Sequence, residues 1–206
     1  YLTQTLYENP LAATASALRG RVYSELGQYH IAFDDFDRAI RLNSKDGQAH
    51  AGQARDYLGR GIVYSQLDEF DLAAEDLDQA IRMDPGNIEA YQNRGLLQYR
   101  LGRFLGAIRD FDHAISLDPG NAAVYKDRGK TYLQLGRNQR AIQDLNRAHA
   151  LDPRLAEAHL LAGQAHLALA QYEAAVVNLQ EAIYWGSLAL GQYTTGLVNL
   201  NEAIIW

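Results

Sequence analysis

Residues 84–119 read DPGNIEAYQNRGLLQYRLGRFLGAIRDFDHAISLDP. The segment opens and closes on one dipeptide, Asp84-Pro85 and Asp118-Pro119, and Asp152-Pro153 follows at the same interval of 34 residues. Gly61, Gly95, Gly129 and Gly163 keep that interval, as do Ala73, Ala107, Ala141 and Ala175. So do Leu77, Phe111, Leu145 and Leu179, and Ala80, Ala114, Ala148 and Ala182. An earlier copy carries Gly20, Ala32, Phe36 and Ala39. Self-similarity at such a period is the mark of a stacked repeat architecture. Inside the quoted unit, Tyr91, Gly95 and Leu101 share one helical face and Gly102 marks a turn. Ala107, Phe111, Ala114 and Ile115 then recur at three- and four-residue spacing, which predicts a second helix. Asp118-Pro119 ends it, because proline cannot continue a helix and restrains the residue before it. The small residues let paired helices approach closely.

The pattern Tyr91-(x3)-Gly95, Leu101-Gly102, Ala107, Phe111, Ala114 and Pro119 resembles the tetratricopeptide repeat (TPR), and the likeness runs over residues 13–186. It implies an all-α fold, a right-handed superhelical solenoid of stacked helix-turn-helix repeats. The units are 13–46, 47–87, 88–121, 122–155 and 156–189, with a partial unit at 188–206. Residues 1–12 look like the end of a preceding unit, with Pro10 in the terminal-proline place. Roughly eleven helices with axes 8–10 Å apart would make a path of about 100 Å.

Two stretches depart from the pattern. The unit 47–87 carries a seven-residue extension, almost two helical turns. It predicts either one long first helix over 47–67 or a loop at 43–53, where Asn43, Ser44, Gly47 and Gly52 cluster. At the other end, 167–185 (LALAQYEAAVVNLQEAIYW) is echoed by 188–206 (LALGQYTTGLVNLNEAIIW) after 21 residues instead of 34. Either a stretch near Gly186-Ser187 is missing or this is a half-repeat. The sequence begins at Tyr1 without Met and reads as a fragment or processed form, so a targeting signal would not be visible.

Composition narrows the function classes. The 206 residues are 48% apolar with only 4 Pro, which argues against disorder. Without Cys there is no disulfide, thiol nucleophile or Cys-ligated metal. That absence suits the cytoplasm slightly better than the periplasm. A formal charge of −6 disfavours nucleic acid as a partner. No run of 18 apolar residues predicts a transmembrane segment.

Arg19, Arg60, Arg94 and Arg128 each precede the repeat glycine, and Asp35, Asp76, Asp110 and Asp144 each lie 16 residues later. In the fifth unit both are lost together, to Ala162 and Asn178. This predicts ion pairs between the two helices of a unit or across adjacent units, since guanidinium meets carboxylate bidentately. The other acids of the second helices, Asp34, Asp37, Asp68, Glu69, Asp71, Glu75 and Asp78, read as a solvated outer face.

No catalytic constellation stands out. Arg128-Gly129-Lys130-Thr131 matches the end of a phosphate loop, but Val124 replaces the first glycine, and a helix interior has already used its amides. Gly59 and Gly61 do not follow a strand. His159 and His166 occupy places held by Tyr125 and Tyr132 one unit earlier and read as packing residues. No metal, cofactor or catalytic residue is expected.

In the TPR family the first helices line a concave wall and partners are peptides or helices. By repeat position the resemblance places Arg21, Arg55, Gln92, Tyr99, Arg100, Lys126, Lys130, Gln134 and Gln164 on that wall, with Leu96 and Leu160, and Asn93 at its edge. It implies a non-enzymatic interaction scaffold holding a protein or peptide segment. The mildly basic wall favours an acidic or carboxylate-bearing one. The two-carboxylate clamp that some TPR domains use for chaperone tails is not reproduced: Glu89, Leu96 and Asp127 stand at supporting places. The alternatives are self-assembly into a homo-oligomer through the C-terminal end, with Trp185, Ile204, Ile205 and Trp206, or a regulatory segment of a larger enzyme.

Overall fold

The structure, a computed structural model, describes residues 10–43 and 50–188. Among these residues it is all-helical. α1 (Pro10–Glu25) pairs with α2 (Tyr29–Asn43), and α3 (His50–Gln66) with α4 (Phe70–Met83). They are followed by α5 (Ile88–Arg100), α6 (Phe104–Leu117), α7 (Ala122–Gln134), α8 (Asn138–Leu151), α9 (Ala156–Ala168) and α10 (Tyr172–Leu188). The chain forms two compact units, Tyr1–Leu97 and Gln98–Trp206, with the boundary falling inside α5. In the first, α2 also packs on α3, and α1 on α3. In the second, α7 pairs with α8 and α9 with α10, while α6 packs on α7, α8 on α9 and α7 on α9.

The repeated residues explain the hairpins. Each tight turn has one residue of positive φ: Gly27, Asp68, Gly102, Gly136 and Ala170. Around it an amide reaches back five residues, as in Gln28 N–H to Tyr23 O (2.8 Å) and Arg103 N–H to Gln98 O (2.8 Å). That closure satisfies carbonyls the helix end leaves open. Between units the Asp of Asp-Pro turns the chain: the Asp84, Asp118 and Asp152 carboxylates accept from the amides of Gly86, Gly120 and Arg154. Asn87 and Asn121 then accept from the amides of Ala90 and Val124 and cap α5 and α7.

The glycine series marks where paired helices touch. A Cβ on Gly129 would lie 2.8 Å from Leu145 Cγ and 3.4 Å from the Ala141 carbonyl. Gly61 stands in the same relation to Leu77 and Ala73, and Gly163 to Leu179 and Ala175. The alanine and leucine series are buried throughout the described repeats and form the core.

α3 has 17 residues against 13 in α5, α7 and α9, so part of the seven-residue extension is helical. It starts at His50; the rest of the expected 47–67 helix, and most of the alternative loop, lie at 44–49, outside the described residues. The echo over 188–206, the eleventh helix it would supply and the terminal apolar residues Ile204, Ile205 and Trp206 also lie outside them, bar the backbone of Leu188.

Candidate functional site

The arginine series forms ion pairs, of a richer kind than its spacing suggested. Arg19 grips Asp35 with Nε and Nη2 (2.8 and 2.6 Å), Arg60 grips Asp76 (2.7 and 2.9 Å), and Arg128 grips Asp144 (2.7 and 2.7 Å). Each grip joins the two helices of one hairpin. Nη1 then turns to the preceding hairpin: Arg60 to Asp37 (2.9 Å), Arg94 to Asp78 (2.7 Å) and Arg128 to Asp112 (2.5 Å). Asp37 and Asp78 are therefore not solvated outer-face acids; they are rungs between hairpins. The signal was present as a second acidic series two residues after the first, and it lapses at Asn146, facing the unit where Ala162 replaces arginine. A tyrosine three residues earlier stacks on each of these guanidiniums: Tyr57, Tyr91 and Tyr125, 5.6 Å from ring centre to Arg60, Arg94 and Arg128. These arginines are spent on the fold.

The first unit holds a cavity of about 380 Å³, a size within the usual range for ligand pockets, about 300–1,000 Å³. Its apolar floor is Phe36, Leu58, Gly59 and Ile62; its polar rim carries Arg21, Ser24, Glu25, Arg55, Asp84, Asn87 and Glu89. Arg21 and Arg55, predicted wall residues on α1 and α3, meet here, and both are exposed. The floor exists because Gly59 has no side chain. A Cβ there would collide with the Phe36 ring. The equivalent places hold Leu18, Asn93, Asp127 and Leu161, so no other of these repeats has a glycine there. The acids of the rim were not anticipated: Glu25 enters from α1, Asp84 from the α4–α5 connection and Glu89 from the first turn of α5.

In the second unit the predicted lysines meet a protein carboxylate. Lys126 Nζ lies 2.9 Å from Glu157 Oε2 and 3.2 Å from Asp127 Oδ1, and Lys130 Nζ lies 3.0 Å from Glu157 Oε1. Burial alone would lower the Lys126 pKa, but Asp127 and Glu157 outweigh it and the net shift is upward. Burial likewise pushes Glu157 up, and the two ammoniums overcome that and hold it low. Lys126 is thus half-buried and paired within the protein. Lys130 also lies 5.9 Å over the Tyr99 ring, which packs edge-on to Phe104. Asn93 donates to the Glu89 carbonyl one turn back (2.8 Å). Gln92 and Gln164 are half-buried on α5 and α9, and Arg100 and Gln134 are exposed at the ends of α5 and α7.

Sequence reading missed Asp56. It occupies a core place held by Ala90, Val124 and Ala158 elsewhere, and the Asn43 amide donates to it at 2.6 Å. Burial raises its pKa to about 6, against the pull of that hydrogen bond. The signal was a charge interrupting an apolar series.

The histidines behave as packing groups. His159 Nε2 donates to the Pro153 carbonyl (3.2 Å) and faces His149 Nδ1 (3.0 Å); burial chiefly lowers its pKa. His166 Nδ1 donates to Gln171 Oε1 (2.7 Å). Among the described residues no three His, Asp or Glu gather as metal ligands, and no helix is long and apolar enough to cross a membrane. The fragment Arg128–Thr131 lies inside α7, where Thr131 Oγ donates to the Asp127 carbonyl (2.8 Å).

Comparison with known proteins agrees with this architecture. Family models described as Tetratricopeptide repeat match residues 11–86, 78–126, 111–143 and 156–185, and one described as TPR repeat matches 129–170. No curated protein matches the sequence. Among solved structures, PilF of Pseudomonas aeruginosa superposes with a TM-score of 0.78 at 19% identity, covering 91% of this chain and 81% of that one. YrrB, described as a TPR protein with an unusual peptide-binding site, gives 0.67 at 20% identity, covering 95% of both chains. TTC0263, a thermophilic TPR protein of Thermus thermophilus, gives 0.70 at 19% identity, covering 95% and 100%. At these identities the likeness concerns the fold. With matches running from residue 11 to 185 over helical hairpins of the same period, the chain belongs to the tetratricopeptide repeat family.

Proposed function

We propose that this protein is a non-enzymatic scaffold that holds an extended segment of a partner protein in the cavity of its first unit. The observation that carries this reading is the floor opened by Gly59 beside two exposed arginines that, among the described residues, no ion pair consumes. An apolar side chain of the partner sits over Phe36, and Arg21 and Arg55 meet a neighbouring carboxylate. Each exposed charge contact is weak, so affinity comes from the anchor together with several such contacts. The rim acids Glu25 and Glu89 disfavour long acidic runs, which makes the preferred segment one apolar anchor flanked by one or two acids. The family's fold is an interaction scaffold, and YrrB is described as binding peptide, which supports the class of partner.

The test is selection from a displayed peptide library, followed by calorimetric titration of the selected sequence. The expected result is an apolar–acidic consensus whose affinity falls about tenfold, or 1.4 kcal/mol, in Arg21→Glu/Arg55→Glu. Its melting temperature should equal that of the parent. Undiminished affinity in that variant contradicts the assignment. Lys126→Glu is a poor probe, because it would set a third acid beside Asp127 and Glu157.

A further inference from the structure

The junction from α8 to α9, internal to the second unit, is built from different chemistry than its counterparts. The place held by Ile40, Ile81, Ile115 and Ile183 in the other described second helices is His149. The place held by Tyr57, Tyr91 and Tyr125 in earlier first helices is His159. The arginine on which those tyrosines stack is Ala162 here, and the aspartate it would reach in the preceding hairpin is Asn146. The ionic tie between hairpins is therefore gone at the junction where two imidazoles enter together. Two repeat series break in one place to one residue type, and the two exceptions touch each other.

Their geometry is that of a chelate. His149 Nδ1 and His159 Nε2 lie 3.0 Å apart, and the Pro153 carbonyl oxygen lies 3.2 Å from His159 Nε2. A straight N–H···N bond of that length would hold the ring centres about 5 Å apart. They are 4.4 Å apart with the ring planes at 66°, so the nitrogens meet at a bend. At metal–nitrogen distances of about 2.0–2.1 Å, two nitrogens at a right angle are about 2.9 Å apart and two at a tetrahedral angle about 3.3–3.4 Å. The observed separation suits the right angle, which belongs to tetragonal copper(II) and nickel(II) sites more than to tetrahedral zinc. His149 is exposed and opens the pair to solvent, while His159 is buried. Burial chiefly lowers the His159 pKa and keeps the imidazole in the neutral form a metal requires; the Glu181 carboxylate of α10 acts on it in favour of positive charge.

We propose that His149 and His159 form a chelating site for a divalent transition-metal ion, copper(II) above nickel(II) and zinc(II), with the Pro153 carbonyl as a weaker third donor and water completing the shell. The ion takes the Nδ1 lone pair of His149 and the Nε2 lone pair of His159. The His159 proton then resides on Nδ1, so the neutral pair loses no net proton, and the Pro153 carbonyl turns from that N–H to the ion. Binding joins α8 to α9. It supplies at this junction the tie that Arg128 and Asp112 give to the junction before it. The site is separate from the cavity of the first unit and does not depend on the reading given to it.

The test titrates copper(II), nickel(II) and zinc(II) salts into the full chain, free of any affinity tag, at neutral pH. The expected result is one equivalent of tightly held copper(II) whose electron paramagnetic resonance spectrum carries hyperfine coupling from imidazole nitrogen, with nickel(II) and zinc(II) weaker. The melting temperature should rise with copper(II) and return when EDTA is added. His149→Ile and His159→Tyr install the residues of the other repeats, so both should fold, which circular dichroism checks. Each should lose about tenfold or more in copper(II) affinity, and neither melting temperature should respond to the metal. His166→Gln, whose ring bonds Gln171, should bind as the parent does. Undiminished copper(II) affinity in either His149→Ile or His159→Tyr overturns the proposal. So does the absence of saturable one-to-one binding in the parent chain.

Discussion

Arg60 and Arg128, each just before a repeat glycine, do two jobs with one guanidinium: each closes its own hairpin through a bidentate grip and ties that hairpin to the one before. The Asp144 side chain is 9% exposed, so deleting its partner leaves a buried carboxylate uncompensated. Arg128→Ala should therefore lower unfolding free energy by about 3 kcal/mol in urea melts. Asp112 is half exposed, and Asp112→Asn should cost about 1 kcal/mol or less. A reversed order would mean that the tie between hairpins outweighs the grip within one. Asp56 acts in the opposite sense. Its carboxyl titrates near pH 6 in the folded chain and near 4 when unfolded, so the folded state binds the extra proton in that window. Its contribution is most favourable below pH 4 and is lost as pH rises through 6. Asp56→Asn should raise the melting temperature at pH 7.5 by a few degrees, with the gain vanishing toward pH 4.

The helices and their turns were the most legible part of the sequence. Asp-Pro, the turn glycines and the alanine series each answer a local need: a carboxylate to turn the chain, a left-handed residue, a close approach. Where the turn residue is not glycine the strain remains. Ala170 holds φ 55° without a side chain that bonds locally. Ala170→Gly should thus stabilise α9–α10 by about 1 kcal/mol, seen as slower amide exchange in those helices. No gain there would mean that the turn relaxes at no cost. The extension in α3 was legible only as a length, because seven residues keep the helical face whether they lengthen a helix or a connection.

At the scale of the whole molecule, the candidate site was legible only in part, for a physical reason. Repeat position tells which face a residue occupies and is silent on what stands opposite. Arg21 and Arg55 form no ion pair among the described residues and line one cavity. Lys126 and Lys130, equally basic on paper, share the Glu157 carboxylate of the next hairpin, 31 and 27 residues away. The Phe36 floor depends on a missing side chain at Gly59, a small change in one letter with no motif attached. Restoring that side chain tests the point: Gly59→Ala should displace the Phe36 ring, close the floor and lower the melting temperature, while Gly52→Ala, with nothing nearer than 3.9 Å, should not.

The proposed holding of a partner segment by the first unit is tested most directly by hydrogen–deuterium exchange with and without the selected peptide. The predicted result is slowed exchange confined to α1, α3 and residues 84–89 (the α4–α5 connection and the start of α5), with the second helices unchanged. Protection centred on α8 and α10, or none anywhere at saturating peptide, would contradict it.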